Sequence, residues 1–253
     1  MLNFIVQRKH RVFALGAPKS GTTSIAGLFA DRCRADHEPH RPRTVNAMYR
    51  HYAGELSDDG LRKSYQARDK QLLLDVESNC FLAYRPDLLL STFPKSKYLI
   101  TVREPKSWLD SIFDNNLNFP KERTRTMTLW HRVFFQSDKF APTEQDKVLL
   151  DLGLYPLSAY LSYWSRTYSA CLRALRKTRL LVVGTKQISS RKNEIGRFVG
   201  IDVSNVASGA LHKNQTVEKH GILRHLCDEY LTESIDRHCR TVISEHGLDR
   251  LWV

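Results

Sequence analysis

The sequence predicts an α/β fold of three layers, a central parallel β-sheet flanked by helices, formed as a single domain over residues 1–253. Three observations carry that expectation. Short apolar runs of strand length alternate with segments of helical period, the pattern of right-handed crossovers onto a parallel sheet. The first apolar run ends in a glycine-containing loop that leads straight into a helix. The length suits one domain with a sizeable core, and no internal repeat or low-complexity stretch interrupts it.

Taken in order, "RVFAL" (Arg11 to Leu15) is a buried strand that stops at Gly16-Ala17-Pro18. Thr22 to Arg34 follows as a helix with Ile25, Leu28 and Phe29 on its apolar face. Asp36 to Met48 has no period and several histidines and prolines, and reads as loop. Ser57 caps a helix running to about Arg68. "QLLLD" (Gln71 to Asp75) is a second strand, Pro86 opens a short helix to Ser91, and "KYLITV" (Lys97 to Val102) is a third strand. Pro105 opens the helix carrying Trp108, Ser111 and Ile112. "RTMTLWHRVFF" is helical between loops, Tyr155 to Arg176 is a long helix, and "LLVV" (Leu180 to Val183) is a fourth strand. Asn193 to Val199 and Gly221 to His246 close the chain as helices. In such sheets ligands sit at the carboxyl ends of the strands, and suggestive motifs follow the first three.

Hydrophobic residues at 42% and charged residues at 26% are those of a globular protein in water. The excess of 39 Lys+Arg over 27 Asp+Glu, a net +12, favours an anionic partner without naming it. The five cysteines are odd in number and include no C-x-x-C pair, so reduced, mostly buried thiols are expected. No apolar run reaches membrane-spanning length and the N-terminus lacks a signal-peptide core, which points to a cytoplasmic protein without a transmembrane segment. His37, His40 and His51 are too irregularly spaced for a metal site and are read as loop histidines; no metal is expected.

"GAPKSGTTS" (Gly16 to Ser24) has the G-x-x-x-x-G spacing of a phosphate-binding loop, but Thr22 follows Gly21 and the lysine, Lys19, precedes it. Backbone N–H groups at the start of a helix make an anion cradle, and Ser20, Thr22, Thr23 and Ser24 add hydroxyls. With its lysine ahead of the glycine, "PKSGTT" resembles the 5′-phosphosulfate loop of sulfotransferases that use 3′-phosphoadenosine 5′-phosphosulfate (PAPS). The resemblance leans to the carbohydrate-type and bacterial branches, because Ser24 stands where many cytosolic members carry an adenine-stacking Trp. It implies a P-loop-like sulfotransferase fold, with 5′-phosphate binding by Lys19, Ser20, Gly21, Thr22, Thr23 and Ser24. It also implies that Lys19 offsets charge on the bridging oxygen as the sulfuryl group leaves.

PAPS carries a 3′-phosphate, so a second anion site is expected. "VREPKSWLDS" supplies Arg103 at a strand end, Pro105, and Ser111 two turns into the next helix, and this resembles the family's 3′-phosphate motif position by position. Lys213, in "LHKNQT", lies where the family sends basic residues back to the same phosphate; Arg191 and Lys192 are weaker candidates. "LLLDVESN" offers two carboxylates, Glu77 and then Asp75, as the base that takes the acceptor's proton. Tyr155, Tyr160, Tyr163 and Trp164 either line the acceptor side or belong to the core. The resulting expectation is a PAPS-dependent sulfotransferase acting on a hydroxyl or amine, with a glycan or glycolipid acceptor favoured by the basic surface, and releasing adenosine 3′,5′-bisphosphate. A P-loop nucleotide kinase or triphosphatase is the rival enzyme. A basic nucleic-acid-binding module is the rival from another class, and no recognised signature supports it.

Overall fold

The computed structural model describes residues 8–120, 123–206 and 218–252. Its centre is a five-stranded, all-parallel sheet in the order β2-β3-β1-β4-β5, formed by β1 (Val12–Leu15), β2 (Ala35–His37), β3 (Val76–Ser78), β4 (Lys97–Val102) and β5 (Arg179–Gly184). Side-chain alternation splits β1 between two cores. Phe13 and Leu15 face a large apolar cluster, and Val12 and Ala14 a smaller one. The smaller side is covered by α1 (Thr22–Phe29) and α9 (Lys192–Val199), which supply Ile25, Leu28, Ile195 and Val199. The larger side holds α2 (Arg41–Tyr52), α3 (Asp58–Leu72), α4 (Pro86–Thr92) and α5 (Pro105–Asn118). Completing it are α6 (Arg125–Phe135), the short α7 (Lys147–Asp151), α8 (Leu157–Leu175) and α10 (Asp228–His246). This is the three-layer arrangement expected from the alternation of strands and helices.

From β1 the chain crosses to β2 at one edge and returns through β3; from β3 it crosses over β1 to β4 and then β5 at the other edge. The reversal puts the topological switch point at the carboxyl ends of β1 and β4, the usual ligand position in open parallel sheets.

Three expectations are corrected. "QLLLD" is not a strand: Gln71 and Leu72 finish α3, and Leu73 turns the chain with φ 49°, its N–H donating to the Asp69 carbonyl at 3.0 Å. The strand is the next three residues, Val76–Ser78, whose acid and hydroxyl hide it from an apolar-run criterion. "ADH", expected as helix end and loop, is instead the edge strand β2, and the first helix stops earlier, at Phe29. Most of the supposed loop after it is α2, where Pro42 sits at the helix start and Val45 and Met48 make a buried face three residues apart. Tyr160, Tyr163 and Trp164 are buried in the large core, and Tyr155 is partly buried against it. The five cysteines are free thiols. Among the described residues no helix is long and apolar enough to cross a membrane, and no cluster of side chains suits a metal ion.

Candidate active site

The loop between β1 and α1 is tied down from Ala17 to Ser20, by its own Ser20 hydroxyl and by side chains from outside. The Ala17 carbonyl accepts from Ser20 Oγ at 2.7 Å, that of Pro18 from Trp108 Nε1 at 2.7 Å, that of Lys19 from Arg103 Nη1 at 3.1 Å, and that of Ser20 from Thr185 Oγ1 at 2.5 Å. Tyr168 adds a brace, accepting from the Ala17 N–H at 3.3 Å and donating to the Thr101 carbonyl at 3.0 Å. In a trans peptide the N–H opposes the C=O. Tying down the Pro18 and Ser20 carbonyls therefore turns the N–H groups of Lys19 and Gly21 away from Trp108 and Thr185. No acidic residue occupies the first turn of α1 to compete for its dipole.

Two backbone conformations make the loop possible. Lys19 is in the left-handed region at φ 65°, uncommon for a residue with a side chain, and Gly21 is at φ 102°. The positive φ at Gly21 requires glycine, and a Cβ there would also lie 2.6 Å from Ile188 Cδ1, which would have to shift.

The predicted cradle residues divide by role. Ser20 is fully buried, and its hydroxyl also pairs with Thr101 Oγ1 at 2.9 Å, so that side chain shapes the loop. The hydroxyls of Thr22 and Thr23 converge on His37 Nε2 at 3.1 and 3.2 Å. Ser24 follows in the first turn of α1. Burial lowers the Lys19 pKa, and the neighbouring Arg103 and Lys219 cations lower it further against the opposing Asp114.

Arg103 directly follows β4 and lies against the cradle. Its Nη1 reaches the Lys19 carbonyl and its Nε donates to Ser107 Oγ at 2.9 Å, while burial lowers its pKa. Ser111 is buried on α5, the helix that begins just beyond Arg103. Lys213 lies outside the described residues. Lys219 stands in the same polar stretch of sequence and was not singled out by any motif. Its Nζ is 3.1 Å from the fully buried Asp114 of α5, whose other oxygen accepts the His220 N–H at 2.8 Å. Arg191 and Lys192 do not join the cradle. Arg191 is bidentate to Glu194, and Lys192 donates to the Ser204 and Val206 carbonyls at 2.9 and 2.7 Å.

Neither carboxylate expected as the base is presented to the cradle. Asp75 lies at the amino end of β3, where it accepts from Arg34 Nε at 3.1 Å and from the His10 N–H at 3.2 Å. Burial raises its pKa, but the Arg34 contacts and the His10 N–H outweigh that and hold it below the ordinary value. Glu77 is buried, ion-paired to Arg68 of α3, and accepts from Asn79 Nδ2 at 2.9 Å; burial raises its pKa against both partners.

What does reach the cradle is the tip of β2, where the supposed loop histidine His37 contacts both threonines. Burial lowers its pKa, keeping the imidazole neutral at pH 7. Beside it, one Glu38 oxygen is 3.6 Å from His37 Nε2 and accepts from Cys80 Sγ at 2.9 Å, and the other pairs with Arg41 at 2.9 Å. Sequence offered one usable signal for this pair: a polar segment of unassigned structure soon after a phosphate loop.

No family model matches the chain. A protein of Aspergillus versicolor, "Ava biosynthesis cluster protein M", is 26% identical over 190 residues, 68% of this chain and 70% of that protein. The sulfotransferase domain from the curacin biosynthetic pathway aligns with 94% of this chain and 97% of its own at 12% identity, with a TM-score of 0.45. The sulfotransferase of Alicyclobacillus acidocaldarius aligns with 93% and 95% at 14% identity and a TM-score of 0.49. The sulfotransferase domain of the Synechococcus PCC 7002 olefin synthase aligns with 91% and 90% at 13% identity and a TM-score of 0.39.

Proposed function

We propose that the protein is a sulfotransferase that binds PAPS across the β1 and β4 strand ends and sulfates a hydroxyl or amine acceptor. One observation carries the reading: the guanidinium of Arg103 bonds to the carbonyl of Lys19, so two groups suited to separate phosphates belong to one crevice. A nucleotide triphosphatase loop has no need of an arginine fork beside it, and its lysine follows the second glycine rather than preceding it.

The donor fits the residues present. Gly21, at φ 102°, makes the turn into α1, and the first turn of that helix offers N–H groups and the Thr22, Thr23 and Ser24 hydroxyls to a 5′-phosphate. Arg103, with Ser111 on the helix that follows it, would take the 3′-phosphate, and Lys219, paired with Asp114, adds a cation near Lys19. When bound, PAPS supplies a sulfuryl group whose transfer leaves adenosine 3′,5′-bisphosphate.

Within the crevice Lys19 places an ammonium beside the 5′ end, where negative charge grows. The neutral imidazole of His37 takes the acceptor's proton, and the Glu38 carboxylate, itself held by Arg41 and Cys80, stabilises the imidazolium that forms. The test is calorimetric binding of adenosine 3′,5′-bisphosphate beside AMP, together with acceptor-dependent consumption of PAPS. The bisphosphate is expected to bind at least tenfold more tightly. Equal affinities, or hydrolysis of ATP with magnesium and no reaction with PAPS, would return the protein to the kinase or triphosphatase class.

A further inference from the structure

Away from the crevice a second cleft, of about 590 Å³, lies along the outer edge of β5 between the carboxyl ends of α8 and α10. Leu172, Leu180, Val182, Leu248 and Leu251 give it apolar walls. Arg176, Arg191, Arg250 and His246 supply its charged and titratable groups, and no carboxylate lines it.

The three arginines are not equivalent. Arg191 is saturated by Glu194, the Val182 carbonyl at 3.2 Å and Gln187 Oε1 at 3.1 Å, so it serves as wall. Arg250 is pinned by its Nε to the Gly247 carbonyl at 2.8 Å, which orients the rest of its fork. Arg176 is exposed at the carboxyl end of α8, and among the described residues neither it nor Arg250 pairs with a carboxylate.

That combination selects an occupant. An added peptide strand is disfavoured because Arg191 already takes the Val182 carbonyl and Gln187 Oε1 accepts the Gly184 N–H at 3.4 Å. A second copy of the chain would set guanidiniums against guanidiniums across a two-fold axis. Nucleic acid would leave the leucine walls uncovered. A volume in the usual range for small-molecule pockets, apolar walls and two guanidiniums without a carboxylate partner among the described residues match an organic anion with a hydrophobic body.

We propose that the cleft between β5, α8 and α10 binds amphipathic organic anions, carboxylates or sulfates with an apolar body, independently of the nucleotide crevice. The probe is 8-anilinonaphthalene-1-sulfonate followed by fluorescence, displaced by octanoate. Octanoate is expected to displace the dye at least tenfold more effectively than octanol or inorganic sulfate. Arg176→Glu, a change at an exposed side chain, should weaken dye binding at least tenfold, and Arg176→Glu/Arg250→Glu should abolish it, with the melting temperature of the single variant unchanged. Saturating adenosine 3′,5′-bisphosphate should leave the dye in place. Octanol matching octanoate, full dye affinity in the Arg176→Glu variant, or displacement by the bisphosphate would each overturn the proposal. Failure of the bisphosphate to bind at all would bear on the nucleotide crevice and not on this cleft.

Discussion

Replacing Arg103 by alanine separates recognition of the 3′-phosphate from support of the loop. In the structure two of its N–H groups are committed, one to Ser107 and one to the Lys19 carbonyl, and the remainder are available to a ligand oxygen. A hydrogen bond to a charged group contributes about 1.5–3 kcal/mol, so losing one or two of them should weaken adenosine 3′,5′-bisphosphate binding by about 10²-fold. The same change frees the Lys19 carbonyl and relaxes a loop that holds a non-glycine residue in the left-handed region. That second effect weakens every ligand that uses the cradle, AMP included. The diagnostic quantity is therefore the ratio of the two affinities, from which loop damage cancels. Calorimetry on both proteins should show a ratio of at least ten falling to about one, while Arg103→Lys, which keeps charge but loses the planar fork, gives an intermediate ratio. A ratio that survives Arg103→Ala would refute the assignment of the 3′-phosphate to this residue, whatever happened to the absolute affinities.

Other tests reach the remaining parts of the site and its scaffold. His37→Ala should lower kcat by about 10²–10⁴-fold with bisphosphate affinity changed far less. Because burial lowers the His37 pKa, the active neutral form persists below the ordinary histidine value of about 6.5, and the acidic limb of the kcat/KM profile should lie below that pH and vanish in the variant. If Glu38→Gln loses the limb and His37→Ala keeps it, the proton goes to Glu38. Gly21→Ala forces a side chain into φ 102° and against Ile188, and should destabilise the fold by about 1–3 kcal/mol and abolish nucleotide binding, read by thermal melting and calorimetry. Arg68→Ala leaves the Glu77 carboxylate buried without its cation and should cost about 3–5 kcal/mol. Burial already raises the Glu77 pKa, and removing Arg68 raises it further. The charged form penalises the fold as pH rises above the unfolded value, so the gap from wild type in chemical denaturation should narrow as pH falls toward that of an ordinary carboxylate.

The two proposed anion anchors were legible because their chemistry is local: glycine spacing, a displaced lysine, and an arginine at a strand end each sit within a few residues of their partners in sequence. The proposed base, His37, was not, because its position depends on register between strands distant in sequence. His37 pairs across the sheet with Ser78, and Glu77 with Asp36 and Phe13. Neighbouring residues on a strand face opposite sides, so a one-residue difference decides which layer a side chain meets. Ser78 turns toward α1, where its hydroxyl donates to the Thr22 carbonyl at 2.6 Å, and His37, in the same row, meets the Thr22 and Thr23 hydroxyls. Glu77 turns to the other layer and meets Arg68 of α3. Reading "QLLLD" as the strand placed Asp75 at its carboxyl end, whereas the true strand begins one residue later and leaves Asp75 at the amino end of the sheet. β2 itself has no apolar run to announce it: it is a three-residue edge strand whose side chains are only partly buried. The histidine proposed as the base thus lies on the strand with the weakest signature, since an edge strand has one face in solvent and needs no apolar alternation to stay in place.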